Sequence, residues 1–234
     1  SKWVERAIED SRAQRADNAG GGKGEPGDRR LPPGANEYLG AIGYTEHGYR
    51  HANLVASIAR NVLQRLGRPG REGELAEVAG YCHDVGNAFG REHHGVSGAM
   101  IVSSVLLEMG MIPSEVVCVA AAIGNHEEDV GMPVNPVSAA LILADKSDVH
   151  RSRVRNPDVA SFDIHDRVNY AAEHSFLNVD GENKVVRLEL SINTQICPVM
   201  EYFEIFLTRM MMCRRAARFL GSQFQLVING ARLL

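Results

Sequence analysis

Paired cysteines, a leader segment and long apolar runs are all lacking in this sequence of 234 residues. The four cysteines stand far apart and never as CxxC, which favours reduced core residues over a disulfide frame or a zinc-thiolate site. No apolar run has the length needed to cross a bilayer, and no charged, apolar and small-residue leader opens the chain. We therefore expect a cytoplasmic protein without a membrane partner.

A strong excess of charge of one sign is lacking as well. The net charge is −4 and the pI is near 6.1, so the composition favours no stable nucleic-acid partner, and an anionic substrate would have to meet local cations. Apolar residues make up 44% of the chain and charged residues 23%, as in ordinary globular proteins. The length suits one large domain with an appendage.

Composition and periodicity divide the chain into three parts. Residues 1–43 contain a short amphipathic helix at 2–17 and a stretch rich in glycine, proline and charge at 20–34, which predicts a flexible linker. Residues 44–155 contain a series of amphipathic helices, which predicts a helical domain. Residues 156–234 predict a small α+β unit packed on that domain.

Within this last part, the alternation of apolar and polar residues predicts strands at 176–179 and 185–192. A long amphipathic helix follows at 199–220, and Asn229 with Gly230 predicts a tight hairpin in residues 224–234. The fold class is therefore mainly α, a helical core with a C-terminal antiparallel sheet. An exposed edge strand in that sheet would allow a homodimer.

Histidine and aspartate recur on the apolar faces of the predicted helices. The stretch ELAEVAGYCHDVGN ends an apolar helical run with two such residues side by side. His94 is predicted to share an inward helix face with Gly98, Ile101 and Val105. Across the helices at 46–66, 72–85, 94–109, 113–126 and 136–150, six ionisable residues take core-facing positions: His51, His83, Asp84, His94, His126 and Asp145.

This set of residues favours a metal centre. A single buried histidine is usually just hydrogen-bonded in the core. Four imidazoles and two carboxylates facing one interior need more partners than the few buried lysines and arginines supply. We predict one site formed by the ligands of three helices (His51, His83, Asp84 and Asp145) and a second, completed by His94 and His126, with Asp84 best placed to bridge the two.

The order of these residues resembles the HD-domain superfamily of metal-dependent phosphohydrolases over residues 44–155. CHDVGN resembles the HD(I/V)G motif of that family, HHGVSGAMIV its H-x-x-x-G helix, GNHEE its H-H-E turn and ADKSDVHR its closing aspartate helix. The resemblance implies an all-helical core and one or two divalent ions such as iron, manganese or cobalt. It also implies hydrolysis of a phosphate ester of a nucleotide or another small phosphorylated molecule.

The resemblance further implies roles for single residues. A hydroxide activated by the metal would attack phosphorus, with Asp84 as the catalytic carboxylate between the ions. Lys146, together with Arg151 and Arg153, is expected to hold the substrate phosphate. Glu127 is expected to be either an outer partner of His126 or a proton acceptor.

Some positions depart from one branch of that family, the branch that cleaves cyclic dinucleotides. That branch usually has a lysine at the position of Asn87, a histidine at the position of Asn125 and a GYP motif where this chain reads GMPV. A cyclic dinucleotide is therefore not the expected substrate. Two other functions stay open, a diiron oxygenase built on a similar six-ligand cage and a non-catalytic module that binds a nucleotide for regulation.

Overall fold

The computed structural model describes residues 48–128, 130–154, 156, 158 and 161–234. The helix and linker predicted within residues 1–43 lie outside the described residues, as does the predicted domain start at residue 44. The division of the chain into three domains stays a prediction.

Five helices form the core of the described chain, as the periodicity predicts. They are α1 (Tyr49–Arg65), α2 (Gly70–Cys82), α3 (His94–Glu108), α4 (Pro113–Gly124) and α5 (Pro136–Ser147). A short 3-10 turn, Val85–Ala88, connects α2 to the segment before α3, and a second one, Arg151–Arg153, follows α5. Helix α1 packs against α2, α3 packs against α4, and α5 packs against α1, α2 and α4.

Helix α5 is the centre of the molecule. Every residue from Val137 to Ser147 is buried, because α1, α2, α4 and the C-terminal unit surround this helix. Its start is fixed by a capping box, in which the Asn135 side chain accepts a hydrogen bond from the Ser138 backbone N–H and the Ser138 hydroxyl accepts one from the Asn135 backbone N–H. The residues at its carboxyl end, Asp145 among them, are therefore held deep in the protein.

Two glycines allow the close approaches that bring the ligand-type residues together. A Cβ atom on Gly80 of α2 would lie 2.7 Å from the Ala56 Cα atom of α1. A Cβ atom on Gly86 would overlap the carbonyl oxygen of His94. The glycine of the HDVG sequence is therefore required for contact between the 3-10 turn and the start of α3.

The buried face of α3 differs from the predicted one. His94 and Gly98 are buried as expected, but Val105 is 48% exposed, and the buried stripe continues through Val102 and Leu106. The reason is that α3 packs mainly on α4 and the 3-10 turn, so only a narrow row at four-residue spacing is covered. The prediction for Val105 was wrong, while that for His94 is confirmed.

The C-terminal unit has the predicted elements. It comprises helix α6 (Ile164–Ala171), strands β1 (Ala172–Asp180) and β2 (Val185–Ile192), the long helix α7 (Val199–Phe219), and strands β3 (Gln223–Ile228) and β4 (Ala231–Arg232). Asn229 and Gly230 have φ values of 51° and 80°, so they form the expected tight turn between β3 and β4. Helix α7 packs against α5 and thereby attaches this unit to the helical core.

The sheet has the order β1-β2-β3-β4 and contains one feature that was not predicted. The β1–β2 and β3–β4 pairs are antiparallel, as expected, but β2 and β3 are parallel, with Leu188 opposite Leu226. A parallel pair needs a long crossover, and α7 supplies it because it carries the chain back to the level at which β2 begins. The sheet is therefore mixed, although mostly antiparallel.

No helix within the described residues is both long enough and apolar enough to span a lipid bilayer.

The contact between Gly80 and Ala56 predicts a large effect of one methyl group. Gly80→Ala should lower the free energy of unfolding by about 1 to 3 kcal/mol, because α1 and α2 would have to separate. Gly73→Ala in the same helix is the control, since its added Cβ would make ordinary van der Waals contacts, with side-chain carbons of Arg60 and Gln64 at 3.5 and 3.6 Å and the Arg60 carbonyl oxygen at 3.8 Å. That control should be neutral or stabilising by up to about 1 kcal/mol. Urea denaturation measures both, and equal stability of the two variants would contradict the account.

Candidate metal centre

The six predicted ligand residues converge in one buried cluster. His51 comes from the first turn of α1, His83 and Asp84 from the end of α2, His94 from the start of α3, His126 from the segment after α4, and Asp145 from the last turn of α5. None of the four histidines is more than 3% exposed. The cluster therefore joins all five core helices in a region almost closed to solvent.

One half of the cluster is formed by His51, His83 and Asp145. The Nε2 atoms of His51 and His83 are 3.3 Å apart, and they lie 3.2 and 3.6 Å from Asp145 Oδ1. Asp84 Oδ2 completes this group at 3.2 Å from His83 Nε2 and 3.6 Å from His51 Nε2. Ligand atoms about 2.1 Å from a common ion are about 3.0 to 3.4 Å from each other in octahedral or tetrahedral sites, so these separations suit a metal ion.

The other half is formed by His94, His126 and the second oxygen of Asp84. The Nε2 atoms of His94 and His126 are 3.1 Å apart, and Asp84 Oδ1 lies 3.3 and 4.0 Å from them. The two oxygens of Asp84 therefore face different pairs of histidines. This is the position of a carboxylate able to bridge two ions.

In each of the four histidines of the cluster, Nδ1 is the ring nitrogen that points away from the cluster, and it already has a hydrogen-bond partner. The Nδ1 atoms of His83, His94 and His126 lie 2.8, 2.9 and 2.6 Å from backbone carbonyl oxygens, those of Gly80, Arg91 and Ile123 in turn. The Nδ1 atom of His51 lies 2.7 Å from Asp148 Oδ2. Because a carbonyl or carboxylate oxygen only accepts, each Nδ1 carries the proton, and in the neutral ring Nε2 then presents its lone pair to the cluster.

This tautomer assignment creates an electrostatic requirement. In each half of the cluster two Nε2 atoms face each other at 3.1 to 3.3 Å, and in neutral rings both would be acceptors. Two facing lone pairs repel unless a proton or a cation lies between them. The cluster, with two carboxylates beside these nitrogens, therefore fits one or two divalent cations. Two triads meet the distance requirement for holding one, His51 with His83 and Asp145, and His83 with Asp84 and His126.

The charges of the cluster change the pKa values of its members. Burial alone would lower the pKa of His83, but the charges and hydrogen bonds of Asp84 and Asp145 outweigh burial and raise it to about 10. Burial would raise the pKa of Asp145, but Lys146 and the neighbouring histidines keep it well below its usual range. Burial and nearby positive charge lower the pKa of His126, so its ring stays neutral. His83 is therefore protonated at neutral pH in the metal-free protein, and a cation that binds its Nε2 atom would displace that proton, because metals bind neutral imidazole and ionised carboxylate.

Asp148 was not predicted and has a defined position behind His51. Its Oδ2 atom faces His51 Nδ1 and accepts a hydrogen bond from Arg50 Nη2 at 3.0 Å, and the side chain is only 3% exposed. Arg153 also binds this residue, by donating a hydrogen bond from Nη1 to the Asp148 backbone carbonyl oxygen at 3.0 Å. The signal was present in the ADKSDVHR stretch, where a second aspartate follows Asp145 by three residues.

Two further polar residues border the Asp84 side of the cluster. Asn87 is buried and donates a hydrogen bond from Nδ2 to Asp84 Oδ1 at 2.9 Å. Arg91 Nη1 lies 3.4 Å from His94 Nε2 and 3.9 Å from Asp84 Oδ1. Asn87 therefore orients the bridging carboxylate, and Arg91 places a partly exposed cation beside it. Nothing in the helical periodicity identified Arg91, because it lies in the turn before α3.

Lys146 lies beside Asp145 as its place in the chain predicts. Its Nζ atom is 2.7 Å from Asp145 Oδ2 and 3.6 Å from Glu128 Oε1, and the residue is 4% exposed. Glu128 in turn forms an ion pair with Arg209 of α7. The C-terminal unit therefore contributes a charged residue to the network around the cluster.

Glu127 has a different partner from the one predicted. Its Oε2 atom lies 3.5 Å from His94 Nδ1, and its Oε1 atom accepts a hydrogen bond from the Gly95 backbone N–H at 2.6 Å. It thus contacts the outer side of His94 rather than His126, because the turn after α4 directs it to the amino end of α3. The prediction of His126 as its partner is corrected accordingly.

The two arginines expected to hold substrate lie elsewhere. Arg153 is 3% exposed, and it is committed to Asp148 behind His51. Arg151 forms an ion pair with Glu173 of β1 and stacks over Tyr170. Neither placement favours contact with a substrate at the cluster, so Arg153 is better described as a positioning residue for Asp148.

The fold and the site define the class of this protein, which is a helical protein with a buried cluster of histidine and aspartate side chains. Residues 48–150 match the family model of the HD domain, which is consistent with membership of the HD-domain superfamily. The chain is also similar to the uncharacterized protein MJ1020 of Methanocaldococcus jannaschii, with 25% identity over 182 residues, which covers 67% of this chain and 68% of that protein.

The contact between Asp148 and His51 predicts an effect on metal affinity. Asp148→Ala should weaken manganese binding about 10- to 100-fold, because the His51 N–H loses the acceptor that orients the ring. Asp148→Asn keeps an acceptor oxygen and should lose less. Titration against a chelating dye measures these affinities, with Glu182→Ala, an exposed carboxylate, as the control. Equal affinities in Asp148→Ala and the control would contradict the predicted role.

Proposed function

We propose that this protein is a metal-dependent phosphohydrolase that cleaves a phosphate ester of a nucleotide or another small phosphorylated molecule. The observation that carries the proposal is the convergence of four imidazole Nε2 atoms and two carboxylates at distances that suit metal ligands. The match of residues 48–150 to the HD-domain model supports a hydrolase of this kind. The substrate and the reaction are proposals.

In this proposal the six residues are divided between two ions. His51, His83 and Asp145 hold one, His94 and His126 hold the other, and Asp84 bridges them. Iron, manganese or cobalt suits such mixed nitrogen and oxygen ligands. When bound, the ions supply a hydroxide at neutral pH and offset the charge that grows on the phosphoryl oxygens.

Cations at the edge of the cluster would bind the phosphate group. Lys146 lies beside Asp145 on one side, and Arg91 lies beside Asp84 on the other. A guanidinium or ammonium group in this position attracts a phosphoryl oxygen through charge-assisted hydrogen bonds. Lys146 therefore stays a proposed substrate-binding residue, and Arg91 takes the place of Arg151 and Arg153 in the proposal.

The carboxylates around the cluster would keep its side chains in place during the reaction. Glu127 contacts His94 from behind, so we propose it as an orienting residue rather than as a proton acceptor. Glu128 holds Lys146 from the side opposite to Asp145 and would limit the motion of that ammonium group. Asp84, the least buried of the six proposed ligands in its side chain at 11% exposed, would face the substrate.

The same six-ligand cage would also serve a diiron oxygenase. Lys146 and Arg91 favour the hydrolase, because two cations at the edge of the cage suit an anionic substrate. A regulatory module without catalysis would bind a nucleotide tightly without turnover, and His83→Ala would leave that binding unchanged.

Turnover of a phosphate-ester panel tests the proposal. Purified protein loaded in turn with manganese, cobalt or iron should release phosphate or a phosphomonoester from at least one member of the panel. His83→Ala should abolish this activity, because it removes a proposed metal ligand from the half of the cluster that also contains Asp145. The absence of turnover with all three metals would refute the hydrolase, and oxygen consumption with two bound irons would favour the oxygenase.

The position of Lys146 predicts a substrate-binding defect. Lys146→Met should lower kcat/KM about 100- to 1,000-fold, because a positive charge facing the phosphoryl group is lost. The bound metal should remain, since none of the six proposed ligands changes. Lys184→Met is the matched control, because Lys184 lies in the turn between β1 and β2, where its Nζ atom donates a hydrogen bond to the Leu66 carbonyl oxygen at 3.4 Å. Steady-state kinetics with metal analysis measures both variants, and an unaltered kcat/KM in Lys146→Met would contradict the assignment.

A further inference from the structure

A second concave site lies between helix α1 and strand β1. The groove has a volume of about 480 Å³, within the range of sites for small molecules. One wall is a face of α1 and the other is β1, which is the edge strand of the sheet. The groove is lined by charged, polar and apolar side chains, among them Arg50, Leu54, Arg65, Asp148, His150 and Phe176.

The groove is separate from the proposed metal centre. His51 lies between the two, with its Nε2 atom directed to the cluster and its Nδ1 atom directed to Asp148. Asp148 lines the groove on the far side of that ring. A molecule in the groove would therefore contact the support of His51 and not the atoms that face the substrate.

Positively charged side chains outnumber carboxylates in the lining. Arg50 and Arg65 carry the positive charges, His150 and His174 add polar groups, and Asp148 is the one carboxylate among the described residues that line the groove. The charge of Asp148 is already balanced by Arg50 and Arg153, with Nδ1–H of His51 as a further donor. In a chain with a net charge of −4, such a concave site selects for anions.

The groove also offers apolar surface. Leu54 is 36% exposed on the α1 wall, and Phe176 is 53% exposed on the β1 wall, where the His174 ring stacks beside it at 6.3 Å between centroids. Leu177 and Ile58 add further apolar surface to these walls. An exposed aromatic ring next to cations is suited to a ligand with an apolar or aromatic body and an anionic group.

We propose that this groove binds a small amphipathic anion, a carboxylate, sulfonate or phosphate attached to an apolar body. The anionic group lies between Arg50 and Arg65, and the apolar body lies against Leu54 and Phe176. This site goes beyond the proposed phosphohydrolase activity, and its occupation does not require that activity.

Occupation of the groove is coupled to the metal centre through two hydrogen bonds. Arg50 Nη2 and His51 Nδ1 share the same oxygen of Asp148, at 3.0 and 2.7 Å. An anion that attracts Arg50 leaves more negative charge on that oxygen, which strengthens the bond from the His51 N–H and makes Nε2 a better metal ligand. Metal should therefore bind more tightly when the groove is filled, and the anion should bind more tightly when metal is present.

Calorimetric titration with 1-naphthalenesulfonate tests the site, because a sulfonate is not a substrate for phosphate-ester hydrolysis. We expect saturable binding of one molecule per chain at low salt, and at least tenfold weaker binding of uncharged 1-naphthol. Arg65→Ala and Phe176→Ser should each weaken sulfonate binding at least fivefold. Arg60→Ala is the matched control, since Arg60 lies on α1 but forms an ion pair with Glu77 of α2.

The coupling is tested by measuring manganese affinity with and without saturating sulfonate. We expect an increase of about fivefold or more in the wild-type chain and none in Arg50→Ala. No saturable binding, equal binding of naphthol, or equal weakening by Arg60→Ala and Arg65→Ala would overturn the site. Binding that leaves the manganese affinity unchanged would overturn the coupling, whatever the outcome of the phosphate-ester panel.

Discussion

The orientation of four imidazole rings is the constraint on which the rest of the site depends. Three backbone carbonyl groups and the Asp148 carboxylate fix a proton on Nδ1 of each ring, so four Nε2 atoms face one small interior. Two pairs of these nitrogens approach to 3.1 and 3.3 Å, which is favourable only with a positive charge between them. The buried carboxylates of Asp84 and Asp145 supply the compensating negative charge for cations held there.

The fold provides this arrangement by converging helix ends. Three of the histidines lie at the termini of α2, α3 and α4, where backbone carbonyl groups or turn residues are free to accept their Nδ1 protons. Helix α5 is buried on all sides, so Asp145 cannot move away from the rings. Gly80 and Gly86 allow the backbones to approach closely enough for side chains of ordinary length to meet. Stability and site geometry therefore depend on the same contacts.

Sequence periodicity predicted much of this structure because helical spacing determines which residues face inward. The helical periodicity predicted that His51, His126 and Asp145 face the core, and the alternation of apolar and polar residues predicted the strands of the C-terminal unit. It could not predict the parallel pairing of β2 with β3, which depends on how α7 packs on α5, or the true contacts of Glu127, which depend on a turn. Asp148 escaped prediction although it lies three residues after Asp145 in the ADKSDVHR stretch, because its burial depends on contacts of the segment after α5 with α1.

The most direct test of the account is the metal content of the protein, combined with X-ray absorption of the bound metal. The account predicts one or two manganese, iron or cobalt ions per chain, with a first coordination shell of imidazole nitrogen and carboxylate oxygen near 2.1 Å. It also predicts that His83→Ala removes this signal while the fold remains. A folded protein that takes up no divalent metal at saturating concentrations, or one whose metal shell contains no imidazole nitrogen, would contradict it.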